Sequence, residues 1–158
     1  MSKGATQKGE RSRATQVPYA TTRMVRDCCL CLHVQRAARA LARRFDAVFR
    51  PLDLTNQQFS LLMSLNRPEP PGLGAVASVL AMDRTTLTAA LKPLERRGLL
   101  EVTVDPDDKR GRLLVLTPAG ERLLARAMPI WTRTHAEIDA RLADGGAELL
   151  RGNLRALA

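Results

Sequence analysis

The stretch DRTTLTAALKPLERRGLLEVTVDPDDKRGRLLVLT, Asp83 to Thr117, carries the order of elements that decides the fold. Asp83 is a helix-capping residue type, and the segment from Arg84 to Arg97 reads as a helix with Gly98 just past its end as a C′ glycine. Pro93 falls inside it, where it removes one backbone hydrogen bond and is expected to bend the segment. Leu100–Val104 and Arg112–Thr117 are β-branched or leucine-rich runs joined by Asp105-Pro106-Asp107-Asp108-Lys109-Arg110-Gly111. Two short strands around a charged, turn-forming connector predict a β-hairpin with its tip in solvent.

Upstream of this stretch, Thr55 and Gln58 form a capping box ahead of the apolar run Phe59, Leu61, Leu62, Met63 and Leu65. Residues 67–72, Arg-Pro-Glu-Pro-Pro-Gly, read as a loop, and a short helix is expected from about Gly74 to Met82 with Val76, Val79 and Leu80 inward. Farther upstream, Val25, Cys29, Leu32, Ala37, Leu41, Phe45 and Val48 predict one long amphipathic helix over Thr21–Phe49, stopped by Pro51. Downstream, Thr117-Pro118 opens a long helix carrying Leu123, Leu124, Ala127, Ile130, Trp131, Ile138 and Leu142, with Pro129 inside it. Asp144-Gly145-Gly146 breaks the pattern, and Leu149, Leu150, Leu154 and Leu157 mark a last amphipathic helix.

Helix, short helix, longer helix and hairpin over about 55–117 is the plan of a winged helix-turn-helix. The expected fold class is therefore mainly α with a small β-hairpin wing (α+β), flanked by dimerisation helices at about 21–49 and 118–157. Residues 17–158 are read as a single domain. Residues 1–16 hold Lys3, Lys8, Arg11 and Arg13 against Glu10 without apolar periodicity, which predicts a disordered basic tail.

The 158 residues include 25 Lys+Arg against 16 Asp+Glu, a formal net charge of +9 that favours an anionic partner. Aromatics make up only 3%, which counts against base-stacking RNA sheets and single-strand channels and leaves duplex DNA as the better match. A basic surface kept for solubility, or for a membrane or nucleotide partner, is the alternative on composition. The longest unbroken apolar stretch, Cys28 to Leu32, is far short of the ~20 residues that cross a bilayer, so no membrane partner is expected. No apolar segment follows the polar start as in a secretory signal, so the expected compartment is the cytoplasm, with Cys28, Cys29 and Cys31 kept reduced.

The helix from Arg84 is short enough for a major groove, and Arg84, Thr85, Thr86, Thr88 and Lys92 are the candidate contacts to bases or phosphates. Lys109, Arg110 and Arg112 put positive charge at the hairpin, suited to the neighbouring minor groove, and Asp108 is expected to orient the Arg110 guanidinium. An ordinary capped surface helix and a solvated charged turn are the alternatives for the two elements.

The segments 83–99, Asp105-Pro106-Asp107-Asp108-Lys109-Arg110 and Leu116-Thr117-Pro118-Ala119-Gly120 resemble the recognition helix, the wing and the following helix start of the MarR-type transcriptional regulators. The resemblance runs from about residue 25 to 157. It implies a homodimer on pseudopalindromic double-stranded DNA, usually a repressor, with intertwined terminal helices. It also places Arg84, Thr85, Thr86 and Thr88 toward the major groove and Arg110 in the minor groove beside Asp108.

Two switches are compatible with this resemblance. In the commoner one a small aromatic or phenolic acid binds between the first long helix and the DNA-binding lobe, with His33, Arg36 and Phe45 as candidate lining residues by location. In the other, Cys31 falls where the organic-hydroperoxide-sensing branch keeps its reactive thiol, with Cys28 as a second candidate thiol. The two tyrosines of that branch are replaced here by Gln35 and Phe45. On one continuous helix Cys28 and Cys31 share a face and Cys29 and His33 form an i, i+4 pair suited to a soft metal, but inert core cysteine is the simpler reading, and no metal or cofactor is assigned. Two distant histidines and the absence of a glycine-rich phosphate loop, H-E-x-x-H or G-x-S-x-G give no basis for an enzyme.

Overall fold

The protein is described by a computed structural model covering residues 16–157; of the basic tail expected over 1–16, all but Gln16 lies outside the described residues. The chain divides between Leu41 and Ala42 into two compact units.

The first unit holds α1 (Tyr19–Cys28) and the start of α2 (Leu30–Phe49). The single helix expected over Thr21–Phe49 is thus broken at Cys29, which adopts an extended conformation with ψ 106°. Cys29 closes one helix and opens the next. Its N–H donates to the Val25 carbonyl at 2.9 Å, its carbonyl accepts from His33 N–H at 3.1 Å, and its Sγ accepts the Leu32 N–H at 3.4 Å. The sulfur occupies the place of a serine or aspartate N-cap. His33 Nε2 donates across the break to the Asp27 carbonyl at 3.1 Å. Cys28 and Cys31 therefore sit on different helices, which corrects the expectation of a shared face. Both are exposed in the single chain and Cys29 is only partly covered, so none of the three is the core cysteine that apolar neighbours suggested. No residue of α1 is buried, since so small a unit has no core of its own.

The second unit holds the core. Phe45 and Phe49 at the end of α2 pack with Leu54 and with Phe59, Leu61, Leu62 and Leu65 of α3 (Asn56–Leu65); the Phe49 and Phe59 rings stack at 4.9 Å. Pro51 does not merely stop α2: a single 3₁₀ turn, Arg50–Leu52, follows it and ends on Asp53 at φ 50°. The Thr55–Gln58 capping box is complete, with both reciprocal bonds formed. After the 66–72 loop come α4 (Leu73–Val79), shorter than expected, and α5 (Arg84–Arg96). Strands β1 (Leu100–Val104) and β2 (Arg112–Leu116) pair antiparallel, Leu100 opposite Leu116 and Val104 opposite Arg112. Gly72 bridges to Leu113, so the loop before α4 flanks the hairpin.

Thr117 caps α6 (Pro118–Asp139) by accepting Gly120 N–H at 3.1 Å while its hydroxyl donates to the Gly98 carbonyl at 2.6 Å. Pro129 and Pro93 are both accommodated inside continuous helices. The last helix, α7 (Gly146–Arg155), is tied to α6 by the Arg151–Asp139 pair at 3.4 Å. Leu149, Leu150 and Leu154 on it, and Val25, Leu30 and Leu41 in the first unit, stay exposed in the single chain. No helix among the described residues is long and apolar enough to cross a membrane.

Candidate nucleic-acid interface

The geometry of α5 follows from its two sides. Leu87, Leu91 and Leu94 are buried against the core, which turns the opposite side outward. There Arg84, Thr85, Thr88, Ala89 and Lys92 line one open depression. The structure thus brings together four of the five residues singled out on this helix and adds Ala89. Its spacing of four from Thr85 is a signal the sequence did carry.

The first turn is tightly organised. Asp83 accepts the Thr86 N–H at 2.8 Å and the Thr86 hydroxyl at 2.5 Å. The Thr86 hydroxyl and amide hold the Asp83 carboxyl below its ordinary value. Thr88 donates its hydroxyl back to the Arg84 carbonyl at 2.7 Å. Of the three threonines only Thr85 has a hydroxyl with no partner among the described residues. The Arg84 guanidinium likewise has no hydrogen-bond or ion-pair partner there, and it lies over α4, where a Cβ on Gly74 would come within 3.3 Å of Nη2. Five residues therefore supply a cation, a free hydroxyl, methyl groups and a second cation along one exposed stripe. That set suits both phosphates and base edges.

The hairpin tip is built by its own carboxylates. Asp105 Oδ1 accepts Asp107 N–H and Asp108 Oδ1 accepts Arg110 N–H, each at 2.9 Å. Asp108 therefore fixes the backbone under Arg110, whereas the sequence suggested a grip on the guanidinium. Two-residue reach favours this Asx turn, because a carboxylate so close in sequence meets the amide before the long side chain. The Arg112 guanidinium is folded back onto the Lys109 and Gly111 carbonyls at 3.3 and 2.8 Å. Lys109 and Arg110 keep their charged ends unpaired among the described residues.

The remaining candidates lie elsewhere. His33 and Arg36 are exposed on the first-unit part of α2, whereas Phe45 is buried in the second unit, 5.7 Å from Phe49 and 5.9 Å from the His135 ring. Cys31 Sγ accepts from the Gln35 amide at 3.1 Å. Among the described residues no group of three His, Cys, Asp or Glu is placed to hold a metal ion.

Residues 54–111 match the MarR family model. The transcriptional regulator HosA of Escherichia coli O111:H- is 37% identical over 99 residues, covering 61% of this chain and 72% of HosA. The structure of the Mycobacterium tuberculosis transcriptional regulator MosR in complex with DNA superimposes with a TM-score of 0.74 at 33% identity, covering 82% of this chain and 92% of that one. The transcriptional repressor CouR of Rhodococcus jostii RHA1, bound to a 23-mer duplex, gives 0.75 at 29% identity over 84% of this chain and 94% of its own.

Proposed function

Since the chain belongs to the MarR family and is a DNA-binding transcriptional regulator, we propose that it works as a homodimeric repressor of a pseudopalindromic operator, released by a small aromatic or phenolic effector. The observation that carries this reading is the single exposed stripe on α5, with Arg84, Thr85, Thr88 and Lys92 on a helix whose other side is locked into the core. In this reading α5 enters the major groove and the wing brings Lys109 and Arg110 to the flanking minor groove, with Arg112 bracing the turn. Thr86 serves the cap first, and its contact with DNA is through its outer methyl or oxygen.

Dimerisation is supported by the apolar side chains that α1, α2 and α7 each leave exposed in the single chain, since an amphipathic helix with its apolar side in water calls for a partner. Two copies would hold their α5 helices about one duplex turn apart, ~34 Å. An effector acts only by binding the DNA-incompetent arrangement more tightly. His33 and Arg36, exposed on the first-unit part of α2, remain candidates to contact it.

Footprinting and competition on operator against bulk DNA test this reading. A specific repressor keeps its preference as salt rises, whereas an architectural binder loses both affinities together. Arg84→Ala is expected to relax base preference at a cost of about 1–3 kcal/mol; equal weakening on all sequences would make Arg84 a phosphate contact.

A second reading, thiol-based peroxide sensing through Cys31, is favoured by the amide of Gln35 donating to its sulfur in the position of a lost tyrosine. If Cys31→Ser leaves peroxide-induced release from DNA unchanged, this second reading fails.

A further inference from the structure

The three threonines at the start of α5 look interchangeable in sequence, but their hydroxyl protons are not equally available. The Thr88 hydroxyl donates to the Arg84 carbonyl, one turn back on its own helix, at 2.7 Å. The Thr86 hydroxyl donates to Asp83. A hydroxyl has one proton, so Thr88 cannot donate to guanine O6 or N7, adenine N7 or thymine O4 without first breaking that bond. What remains to Thr88 is its methyl group and the acceptor side of its oxygen, which would suit only adenine N6–H or cytosine N4–H; Ala89 adds a second methyl to the same depression and favours the apolar contact. Lys92 and Arg84 border these methyls with cations.

Resting on the placement of α5 in the major groove proposed above, we infer that Thr88 and Ala89 form an apolar contact for the 5-methyl group of a thymine in each operator half-site. Thymine is the one base that presents a methyl in the major groove, so such a contact separates it from cytosine and from the other pairs. Thr88 is thus a specificity residue that acts as a methyl group, with its hydroxyl serving the helix. Thr85, whose hydroxyl is uncommitted among the described residues, is the threonine able to donate to a base or phosphate.

The test starts from duplexes enriched by the full-length protein from a randomised pool and resynthesised with 2′-deoxyuridine at each thymine in turn. This removes the methyl and keeps the base pair. One thymine per half-site is expected to lose about fourfold in affinity on this change, the worth of one buried methyl group. Thr88→Val, which keeps the methyl and removes the hydroxyl, is expected to retain the preference for thymine over deoxyuridine. Thr88→Ser, which keeps the hydroxyl and removes the methyl, is expected to lose that preference. Thr88 is exposed, so both variants keep the core. An enriched operator indifferent to every deoxyuridine, or a preference kept by the serine variant and lost by the valine variant, overturns the thymine contact and leaves the operator reading intact. A pool in which nothing is enriched overturns the operator reading itself.

Discussion

Ala81 and Gly98 occupy the same place in two successive helix ends. In each, the residue after the cap is left-handed, with φ 50° at Ala81 and 65° at Gly98, and the next amide bonds five residues back, Met82 to Ala77 and Leu99 to Leu94. This is the Schellman closure, which favours glycine. A Cβ on Gly98 meets nothing within 4 Å, so Gly98→Ala is expected to destabilise by about 1 kcal/mol through conformation alone, measured by urea unfolding. Ala81→Gly should stabilise by on the order of 0.5 kcal/mol, the difference between about 1–2 kcal/mol of left-handed strain and about 0.4–1 kcal/mol of added chain entropy. Asp83 gives a pH signature. Its carboxyl is lowered from 3.8 by Thr86, so its stabilising charge is fully present above that pH and is lost as pH falls through the lowered value. Asp83→Asn caps without titrating, and an advantage of the wild type over it at neutral pH should decline below 3.8 and vanish once pH has fallen through the lowered value. The caps at Thr55, Asp83 and Thr117 were legible because capping chemistry is local. The left-handed Ala81 was not, since alanine carries no mark of it.

At the scale of elements, the start of α6 is held against the end of the sheet by the absence of one atom. A Cβ on Gly120 would lie 2.2 Å from the Leu99 carbonyl oxygen and 2.7 Å from a Leu116 methyl. Gly120→Ala is therefore expected to cost about 3 kcal/mol or more, seen as a lowered thermal midpoint, because neither backbone nor packed leucine yields cheaply. In the wing, a Cβ on Gly111 would meet Asp105 Cβ at 2.9 Å and the Asp108 carbonyl at 3.1 Å. Gly111→Ala should loosen the tip and weaken operator binding while the thermal midpoint stays close to that of the parent. Helix order and hairpin were readable because each element announces itself by period and punctuation. The interruption at Cys29 was not, since the apolar period continues through it without glycine or proline; only the sulfur's bond to the Leu32 amide explains where the chain turns. The role of Asp108 was half readable: the residue was identified, but the group it holds is the Arg110 amide.

For the whole molecule, charge and apolar surface set the behaviour. With a net charge of +9, binding to duplex DNA should weaken steeply with salt, and Arg110→Ala should reduce the logarithmic salt slope by about 1 if it contacts a phosphate. Leu150 and Leu154 are exposed in the single chain, so replacing both with aspartate should leave the monomer fold intact by circular dichroism. Sedimentation should then report a shift toward monomer and operator affinity should fall; an unchanged mass would exclude α7 from the interface. The apolar faces were legible, whereas what covers them in the proposed homodimer was not, because a pairing of two chains leaves no mark in the pattern of one. One consequence reaches past any single measurement. Helix α5 is fastened by its caps at both ends and by three leucines on its inner side, so the outward residues at 84, 85, 88, 89 and 92 carry little of the duty in folding beyond the Thr88 hydroxyl's bond within the helix. On the proposed reading of α5, changes among those five letters would redirect the regulator to new targets while the scaffold is inherited unchanged.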